Sequence, residues 1–157
     1  LNAYLTKMNE VIFEHQGTID KFIGDAIMVM FGAPNDVSAK TQASLATQCA
    51  TAMHREMEYL REQWQEKGAG DLRMRIGVHQ GPAVVGNFGS DKRSDYTCIG
   101  PTVNLASRIE SAAGPGETFV SEEVCGHLSD ALFDDAGQFE LKGLEAMQSL
   151  YRLNLEV

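Results

Sequence analysis

The segment from residue 18 to residue 31 limits the fold of this chain more than any other part of the sequence. It is apolar and β-branched, and Gly24 and Asp25 interrupt it near its middle. Two such runs joined by a glycine-containing pair are typical of a β-hairpin. The second run, residues 26–31, is apolar on both faces, which predicts a strand at the centre of a sheet. We therefore expect a fold that contains an antiparallel sheet.

Two helices are predicted on either side of this hairpin. Apolar residues recur at helical spacing as far as Glu14, and Gly17 is expected to end that first helix. Ser38 is expected to cap a longer helix, because apolar residues recur every three or four positions as far as Trp64. Its apolar stripe is expected to pack on the sheet.

The second half of the chain mixes short strands and helices. We expect a pair of strands around Gly81-Pro82, a short strand at Tyr96 and a helix over about residues 101–113. Further predicted elements are a strand over residues 118–120, a short helix after residue 121, and strands near residues 138–141 and 149–155. Because helices and strands do not alternate strictly, the pattern favours an α+β fold with helices packed on one mostly antiparallel sheet.

Composition excludes several classes of function. The 157 residues carry 22 acidic and 13 basic side chains, a formal net charge of −9, which argues against nonspecific nucleic-acid binding and against binding to anionic membranes. The three cysteines are widely spaced and odd in number, so neither a disulfide framework nor a zinc site is expected. The apolar runs are too short for a membrane span. We expect one soluble domain in the cytoplasm.

The segment over residues 95–108 carries the first candidate site. It ends a strand and opens a helix on which Asn104 and Arg108 lie four residues apart, and therefore on one face. An amide donor and a guanidinium fork suit a phosphate that gains negative charge during a reaction. The alternative is an exposed helix charge beside a residue of the first helical turn. The first hypothesis is an enzyme that acts on a phosphate compound.

Two further candidates lie on the hairpin. A carboxylate on a rigid turn, as Asp25 is, suits a hard cation such as Mg²⁺, although turns also favour Gly-Asp for conformational reasons. Lys21 lies in the preceding strand and either donates to a ring nitrogen or carbonyl of a bound base or reaches solvent. Both readings stay open from the residues alone.

The remaining candidates flank the helix segment. Thr97 offers a hydroxyl that can donate and accept, although threonine is also common in strands for its β propensity. Lys92 and Arg93 lie in a predicted polar turn over residues 89–94 and could clamp a polyphosphate, although exposed loop cations are common. The four histidines show no spacing typical of metal ligands.

Three motifs, in this order, carry a resemblance to a known family: GTIDKFIGDAIMVMFGAP, RIGVHQGPAVVGNFGS and SDYTCIGPTVNLASRIE. They resemble the catalytic domain of class III nucleotidyl cyclases, in particular bacterial adenylyl cyclases similar to the cyanobacterial type. The resemblance covers nearly the whole chain. It implies a ferredoxin-like α+β fold and a head-to-tail homodimer with active sites at the interface. It also implies conversion of ATP to 3′,5′-cyclic AMP and pyrophosphate, a second-messenger synthesis, with two Mg²⁺ or Mn²⁺ ions per site.

The resemblance also assigns roles to residues on the hairpin and in the last motif. It implies that Asp25 binds metal, that Lys21 selects the adenine base, and that Thr97 is the partner of this lysine. Guanylyl cyclases usually have Glu and Cys at those two positions, so a guanylyl cyclase is the less favoured alternative.

The same resemblance assigns the phosphate and ribose contacts. It implies that Asn104 orients the ribose and that Arg108 stabilises the transition state at the α-phosphate. Lys92 or Arg93 would contact the terminal phosphates. In the family arrangement, Asn104 and Arg108 of one protomer face Asp25 of the other.

One departure from the family pattern concerns the first metal-binding aspartate. The family has it in a motif of the form F-x-D-I-x-G-F-T, and the 157 residues contain no such motif. We expect the motif upstream of Leu1, so that residues 1–157 form a single catalytic domain lacking its first strand and first metal aspartate. The alternative is a nonenzymatic cyclase-like module that binds nucleotide or only dimerises.

Overall fold

The computed structural model describes residues 2–68, 72–90 and 93–155, with the backbone alone for residues 93 and 94. The first half contains α1 (Asn2–Glu14), β1 (Thr18–Ile23), β2 (Ala26–Met30), α2 (Ala39–Glu66) and β3 (Ile76–Val78). The second half contains β4 (Val84–Ser90), β5 (Arg93–Ile99), α3 (Pro101–Ala112), β6 (Thr118–Ser121), α4 (Glu122–Cys125), a 3-10 helix (Asp130–Leu132), β7 (Phe133–Phe139) and β8 (Gln148–Leu153).

The strands form three sheets in the described part of the chain. Strands β1 and β2 form one antiparallel hairpin, and β4 and β5 form another. The remaining four strands form a sheet in the order β3-β6-β8-β7, in which β3 and β6 are parallel and the other pairs antiparallel. The predicted α+β class, with mostly antiparallel pairing, is confirmed. None of the helices among the described residues is both long and apolar enough to cross a membrane.

Helix α2 and helix α3 cover different parts of these strands. The buried residues Met8 and Ile12 of α1 pack with Met53 and Met57 of α2, next to side chains of the first hairpin. Ile109 of α3 is fully buried in a second cluster with strands β6 and β8. Burial of these apolar stripes is the main stabilising contribution of each helix.

Local signals predicted several elements correctly. The hairpin turns at Gly24-Asp25, where Gly24 has a φ of 63°. The Ser38 side chain caps α2 by accepting a hydrogen bond of 3.2 Å from the Thr41 backbone N–H. Helix α3 starts at the predicted Pro101 and ends one residue before the predicted Ala113.

The end of α1 differs from the prediction in its detail. Gln16, not Gly17, has the left-handed conformation, with a φ of 63°. Gly17 instead allows a close approach, because a Cβ at this position would lie 2.8 Å from Cγ2 of Ile12. The glycine therefore follows the helix for reasons of packing space rather than backbone conformation.

The prediction that the second hairpin strand lies centrally in a sheet is wrong for the described residues. Strand β2 pairs with β1 alone. Its apolar side chains Ile27 and Val29 pack instead against the cluster formed by α1 and α2. An apolar strand pattern reports burial of the side chains and does not determine how many strands pair with the backbone.

The predicted strand pair around Gly81-Pro82 is also wrong. Strand β3 pairs in parallel with β6, and β4 pairs with β5 over seven residue pairs from Val84–Ile99 to Ser90–Arg93. The predicted short strand at Tyr96 is correspondingly longer, and strand replaces much of the predicted polar turn over residues 89–94. The last two strands, β7 and β8, begin before the predicted positions. Pairing between strands far apart in the chain, as between β3 and β6, leaves little local signal in a sequence.

Helix α3 lies directly on β3 because Gly77 has no side chain. A Cβ at Gly77 would lie 2.7 Å from the carbonyl oxygen of Ala106 and 2.7 Å from Cα of Glu110. These contacts are with helix backbone, which cannot rotate away as a side chain can. The glycine therefore fixes the height of α3 above the sheet.

Candidate active site

A buried carboxylate, Asp20, connects the two hairpins. Its side chain is 1% exposed. The Thr97 hydroxyl donates to both carboxylate oxygens, at 2.7 Å and 2.8 Å, and the Cys98 backbone N–H donates to Oδ2 at 3.0 Å. Burial of a charge is tolerated when it is paired and hydrogen-bonded, and these contacts provide that compensation. Asp20 thereby joins β1 to β5.

Lys21 contacts the same carboxylate. Its Nζ lies 3.9 Å from Oδ1 of Asp20, while its side chain stays 47% exposed. The β1–β2 register shifts between Ile19 and Lys21, so Asp20 is the extra residue of a β-bulge. A bulge changes the direction of side chains in a strand. The structure thus brings the predicted residues Lys21 and Thr97 to one buried acid.

Asp25 lies at the tip of the first hairpin, exposed to solvent. Its carboxylate forms no hydrogen bond or ion pair with any residue that the structure describes. The Tyr4 hydroxyl donates to the Asp25 backbone carbonyl at 3.4 Å, which connects α1 to the tip. Burial, and then the negative charge of Asp25, raise the pKa of Tyr4, so this hydroxyl stays protonated as a donor.

The chemistry of Asp25 fits a hard divalent cation in part. No group of three or more His, Cys, Asp or Glu side chains within the described ranges could hold a metal ion. Mg²⁺ commonly uses one or two carboxylates and completes its coordination with water and substrate phosphates. An exposed, unpaired carboxylate such as Asp25 therefore suits an ion that binds together with a phosphate ligand.

Asn104 and Arg108 lie on the exposed side of α3, one turn apart. The neighbouring Ile109 is fully buried and anchors the other side of the helix. Neither polar side chain hydrogen-bonds or pairs with another described residue, and in particular nothing joins them to Asp25 or Lys21. One chain therefore presents two separate polar groups of residues: the α3 pair, and the hairpin residues around Asp20.

The side chains of the predicted phosphate contacts Lys92 and Arg93 lie outside the described part of the structure. Lys92 lies outside the described residues, and Arg93 is described by its backbone alone, as the first residue of β5 paired with Ser90. Their role stays a prediction.

Large apolar side chains are exposed on the two hairpins that carry Lys21 and Thr97. Ile23 is 61% exposed and Val84 is 60% exposed, and Phe22, Val85, Phe88, Tyr96 and Ile99 on the same two hairpins are also exposed. Two cavities lie elsewhere. One of about 210 Å³ lies beside α2, and the other, of about 440 Å³, lies between α1 and β1; neither is lined by a predicted site residue. Exposed apolar side chains that gather into a large patch commonly mark interaction surfaces.

The sequence interpretation missed Asp20. A signal was available, because an acidic residue stands directly beside Lys21 in a strand whose other members are mostly apolar. A carboxylate in such a strand needs a donor if it is buried. The partner itself, Thr97, is 77 residues away and could not be identified from spacing.

Comparisons with known proteins identify the family of this chain. Residues 1–154 match the family described as "Adenylate and Guanylate cyclase catalytic domain". The chain is 34% identical over 156 residues to "Adenylate cyclase 1" of Rhizobium meliloti (strain 1021), and the match covers 98% of this chain and 23% of that protein. The chain therefore spans about a quarter of the length of this relative.

Two solved structures are similar over nearly the whole chain. The adenylyl cyclase CyaB from P. aeruginosa has a TM-score of 0.93 and 41% identity, covering 98% of this chain and 79% of that one. The guanylyl cyclase Cya2 has a TM-score of 0.88 and 36% identity, covering 98% of this chain and 77% of that one.

Proposed function

Because the chain belongs to the adenylate and guanylate cyclase catalytic domain family, we propose that it is the single catalytic domain of an adenylyl cyclase. The reaction would convert ATP to 3′,5′-cyclic AMP and pyrophosphate by attack of the ribose 3′-hydroxyl on the α-phosphorus. One observation carries the proposal: the Lys21 ammonium and the Thr97 hydroxyl meet at the Asp20 carboxylate, on two hairpins that expose apolar side chains. A cation and a hydroxyl beside apolar side chains suit the edge and face of a purine.

Lys21 and Thr97 would read the edge of the base. The ammonium can only donate, so it fits the unprotonated N1 of adenine. Thr97 lies beside it on β5 and would contact the exocyclic amino group. The similarity to CyaB, described as an adenylyl cyclase, supports the choice of ATP as substrate.

Asn104 and Arg108 would act on the ribose and the reacting phosphate. Asn104 would orient the sugar, and the guanidinium of Arg108 would neutralise charge that develops on the α-phosphate. Both side chains are exposed and have no described protein partner, so they are free to meet a nucleotide. Because nucleophile and electrophile belong to one molecule, correct positioning supplies much of the rate. Lys92 or Arg93 would contact the terminal phosphates.

The family is generally dependent on divalent metal ions, and Asp25 would hold such an ion here, as Mg²⁺ or Mn²⁺. A bound ion would lower the pKa of the attacking hydroxyl and neutralise the phosphate oxygens. Two ions per site would need a further carboxylate besides Asp25. The first hairpin would present Asp25 at its tip, where the Tyr4 hydroxyl donates a hydrogen bond to the Asp25 backbone carbonyl.

A second copy of the chain would complete the active site. Within the described part of one chain, no hydrogen bond or ion pair joins Asn104 or Arg108 to Lys21 or Asp25, although one reaction needs all of them. The exposed apolar side chains around Lys21 and Thr97 would be covered by such a partner. We propose a head-to-tail homodimer in which α3 of one copy faces Asp25 of the other. Its cytoplasmic location is proposed from the three free, buried cysteines.

Guanylyl cyclase activity is a second candidate, because the similar structure of Cya2 is described as a guanylyl cyclase. Guanine presents a carbonyl oxygen and a protonated ring nitrogen where adenine presents an amino group and a bare nitrogen. A lysine donor opposite that protonated nitrogen would meet another donor. Lys21 therefore favours ATP over GTP.

The test is the product formed by the intact protein. The purified protein is incubated with Mn²⁺ and either ATP or GTP, and cyclic nucleotides are separated by chromatography and identified by mass. The proposal expects cyclic AMP and pyrophosphate in equal amounts, with a higher kcat/KM for ATP. Cyclic GMP as the main product would establish the second candidate. Absence of both products from a folded, nucleotide-binding dimer would establish a nonenzymatic module instead.

A further inference from the structure

We infer that Asp20 determines base selection through Thr97, an inference that rests on the proposed function. Asp20 accepts the hydrogen bond that the Thr97 hydroxyl donates, so the Thr97 oxygen can act only as an acceptor toward the base. An acceptor at this position selects a purine with an amino group at C6. Asp20 is therefore a positioning residue, which acts on the nucleotide through Thr97 and makes no contact with it.

The direction of the Asp20–Thr97 hydrogen bond follows from the surroundings of the carboxylate. The Cys98 N–H donates to Asp20 at 3.0 Å, and the Lys21 ammonium lies 3.9 Å away. Both are donors, and a carboxylate accepts hydrogen bonds and donates none. Thr97 must then be the donor, at 2.7 Å and 2.8 Å from the two oxygens. Hydrogen bonds of this charge-assisted type are stronger than those between neutral groups.

A threonine hydroxyl whose hydrogen is bonded to Asp20 can offer a ligand only the lone pairs of its oxygen. Those lone pairs can accept from an amino group, and they repel a carbonyl oxygen. Without Asp20, the hydroxyl could rotate and donate to a carbonyl oxygen as easily as it accepts from an amino group. The hydroxyl of Thr97 could otherwise donate or accept a hydrogen bond, and the buried Asp20 makes it an acceptor only.

The geometry also predicts the effect of the isosteric change Asp20→Asn. The Cys98 N–H needs an acceptor at the Oδ2 position, so the amide oxygen takes that place and the amide NH₂ takes the Oδ1 position. That NH₂ would then donate to a lone pair of Thr97 Oγ1, and the hydroxyl hydrogen would be divided between the neutral amide oxygen at the Oδ2 position, 2.8 Å away, and the base. The acceptor character of Thr97 toward the base would be reduced.

The first test measures nucleotide selection by the intact protein and by Asp20→Asn. The kcat/KM for ATP is compared with that for GTP and for purine riboside triphosphate, which lacks the amino group but keeps the bare ring nitrogen. Both ratios are expected to fall about tenfold or more, the scale of one hydrogen bond to a buried polar group. A general structural defect would lower all three rates together. Unchanged ratios in a folded Asp20→Asn protein would overturn the inference.

Two variants of Thr97 form the matched pair. Thr97→Ser keeps a hydroxyl within reach of Asp20 and should keep the selection for the amino group, whereas Thr97→Val should lose it. In the Thr97→Val background, Asp20→Asn should change the ratios no further, because Asp20 acts through the hydroxyl. If Asp20→Asn melts below the assay temperature, the serine and valine variants carry the test. Equal selection by these two would contradict the inference.

Failure of the proposed function is distinguishable from failure of the inference. A wild-type protein that forms no cyclic nucleotide refutes the proposed function. The same ratios are then measured as affinities, by competition of ATP and purine riboside triphosphate against a fluorescent ATP analogue. An Asp20→Asn protein that binds the two nucleotides in the wild-type ratio would refute the role of Asp20 in either case.

Discussion

The carboxylate of Asp20 lies 2.7 Å from the hydroxyl of Thr97, although 77 residues separate the two in the chain. This contact joins the β1–β2 hairpin to the β4–β5 hairpin, which do not pair through their backbones in the described residues. It also brings Lys21 and Thr97, two residues with different local surroundings, to one place. The proposed base-reading site therefore depends on a side-chain contact between sheets.

Replacement of Arg108 tests the proposed action on the phosphate. Arg108→Ala should lower kcat by about 10²-fold or more and change KM less, because the guanidinium acts on charge that develops during the reaction. The control is Arg55→Ala, which removes an exposed arginine from α2, away from the proposed site. Steady-state kinetics with Mn²⁺-ATP measure both. A kcat of Arg108→Ala near that of the control would exclude this role.

Replacement of Asp25 tests the proposed metal contact. Asp25→Asn keeps the size of the side chain and removes its charge, so we expect the Mn²⁺ concentration for half-maximal activity to rise about tenfold or more. Asp36→Asn changes another exposed aspartate, in the loop after β2, and should leave that concentration unchanged. A metal titration at saturating ATP makes the comparison. The metal role is refuted if both variants titrate like the wild type.

Exchange of the two base-reading residues tests nucleotide choice. Lys21→Glu combined with Thr97→Cys should lower the kcat/KM ratio of ATP to GTP, because a carboxylate accepts where the ammonium donates. The expected change is about 10²-fold, the scale of one good pair of hydrogen bonds to the edge of a base. Competition between the two nucleotides in one assay gives the ratio directly. A ratio equal to that of the wild type would count against both residues as base readers.

Replacement of Gly77 tests whether the close approach of α3 to the sheet contributes to stability. Gly77→Ala places a methyl group against the backbone of Ala106 and Glu110, so we expect a loss of roughly 1–3 kcal/mol in unfolding free energy and lower activity through displaced Asn104 and Arg108. Gly126→Ala is the control, because its Cβ would meet nothing closer than 3.4 Å and its φ is −64°. Thermal and urea unfolding give the comparison. Equal stability of the two variants would disprove the close packing.

The stability of the protein is predicted to depend on pH through His54. Burial lowers the pKa of His54 from 6.5 to about 4, and its Nε2 lies 2.8 Å from the Thr118 hydroxyl oxygen. The unfolded chain therefore takes up a proton on this residue below pH 6.5, whereas the folded chain resists protonation until about pH 4. Stability is complete above that window and falls as the pH drops through it, by up to about 3 kcal/mol.

The measurement is urea unfolding at pH 5 and pH 7.5. The wild type should lose more stability at pH 5 than His54→Gln does, since glutamine does not titrate. His127→Gln, which changes an exposed histidine, should behave like the wild type. His79 contributes in the same direction because burial lowers its pKa, against the opposing effect of Glu123, so the difference between variants isolates His54. The same pH dependence in His54→Gln as in the wild type would disprove its contribution.

Much of the fold and part of the site could be predicted from local patterns. The turn at Gly24-Asp25 follows from glycine conformation, and the cap at Ser38 follows from unpaired N–H groups at a helix start. The family motifs predicted the members of the site, which stay predictions, and the family itself is confirmed. Predictions failed where a local sequence pattern was used to decide which strands pair with each other, as for β2 and for the predicted strand pair around Gly81-Pro82.

The sequence by itself determined the helices, the first hairpin and the positions of the candidate residues, because spacing and turn preferences act over a few residues. Tertiary structure alone decided that Asp20 is buried against Thr97, that β3 pairs in parallel with β6, and that α3 rests on Gly77. The physical reason is that these contacts depend on burial and on the packing of whole elements, which no short segment encodes. The hydrogen-bond direction of the Thr97 hydroxyl, on which the proposed choice of base depends, is likewise decided by the tertiary structure.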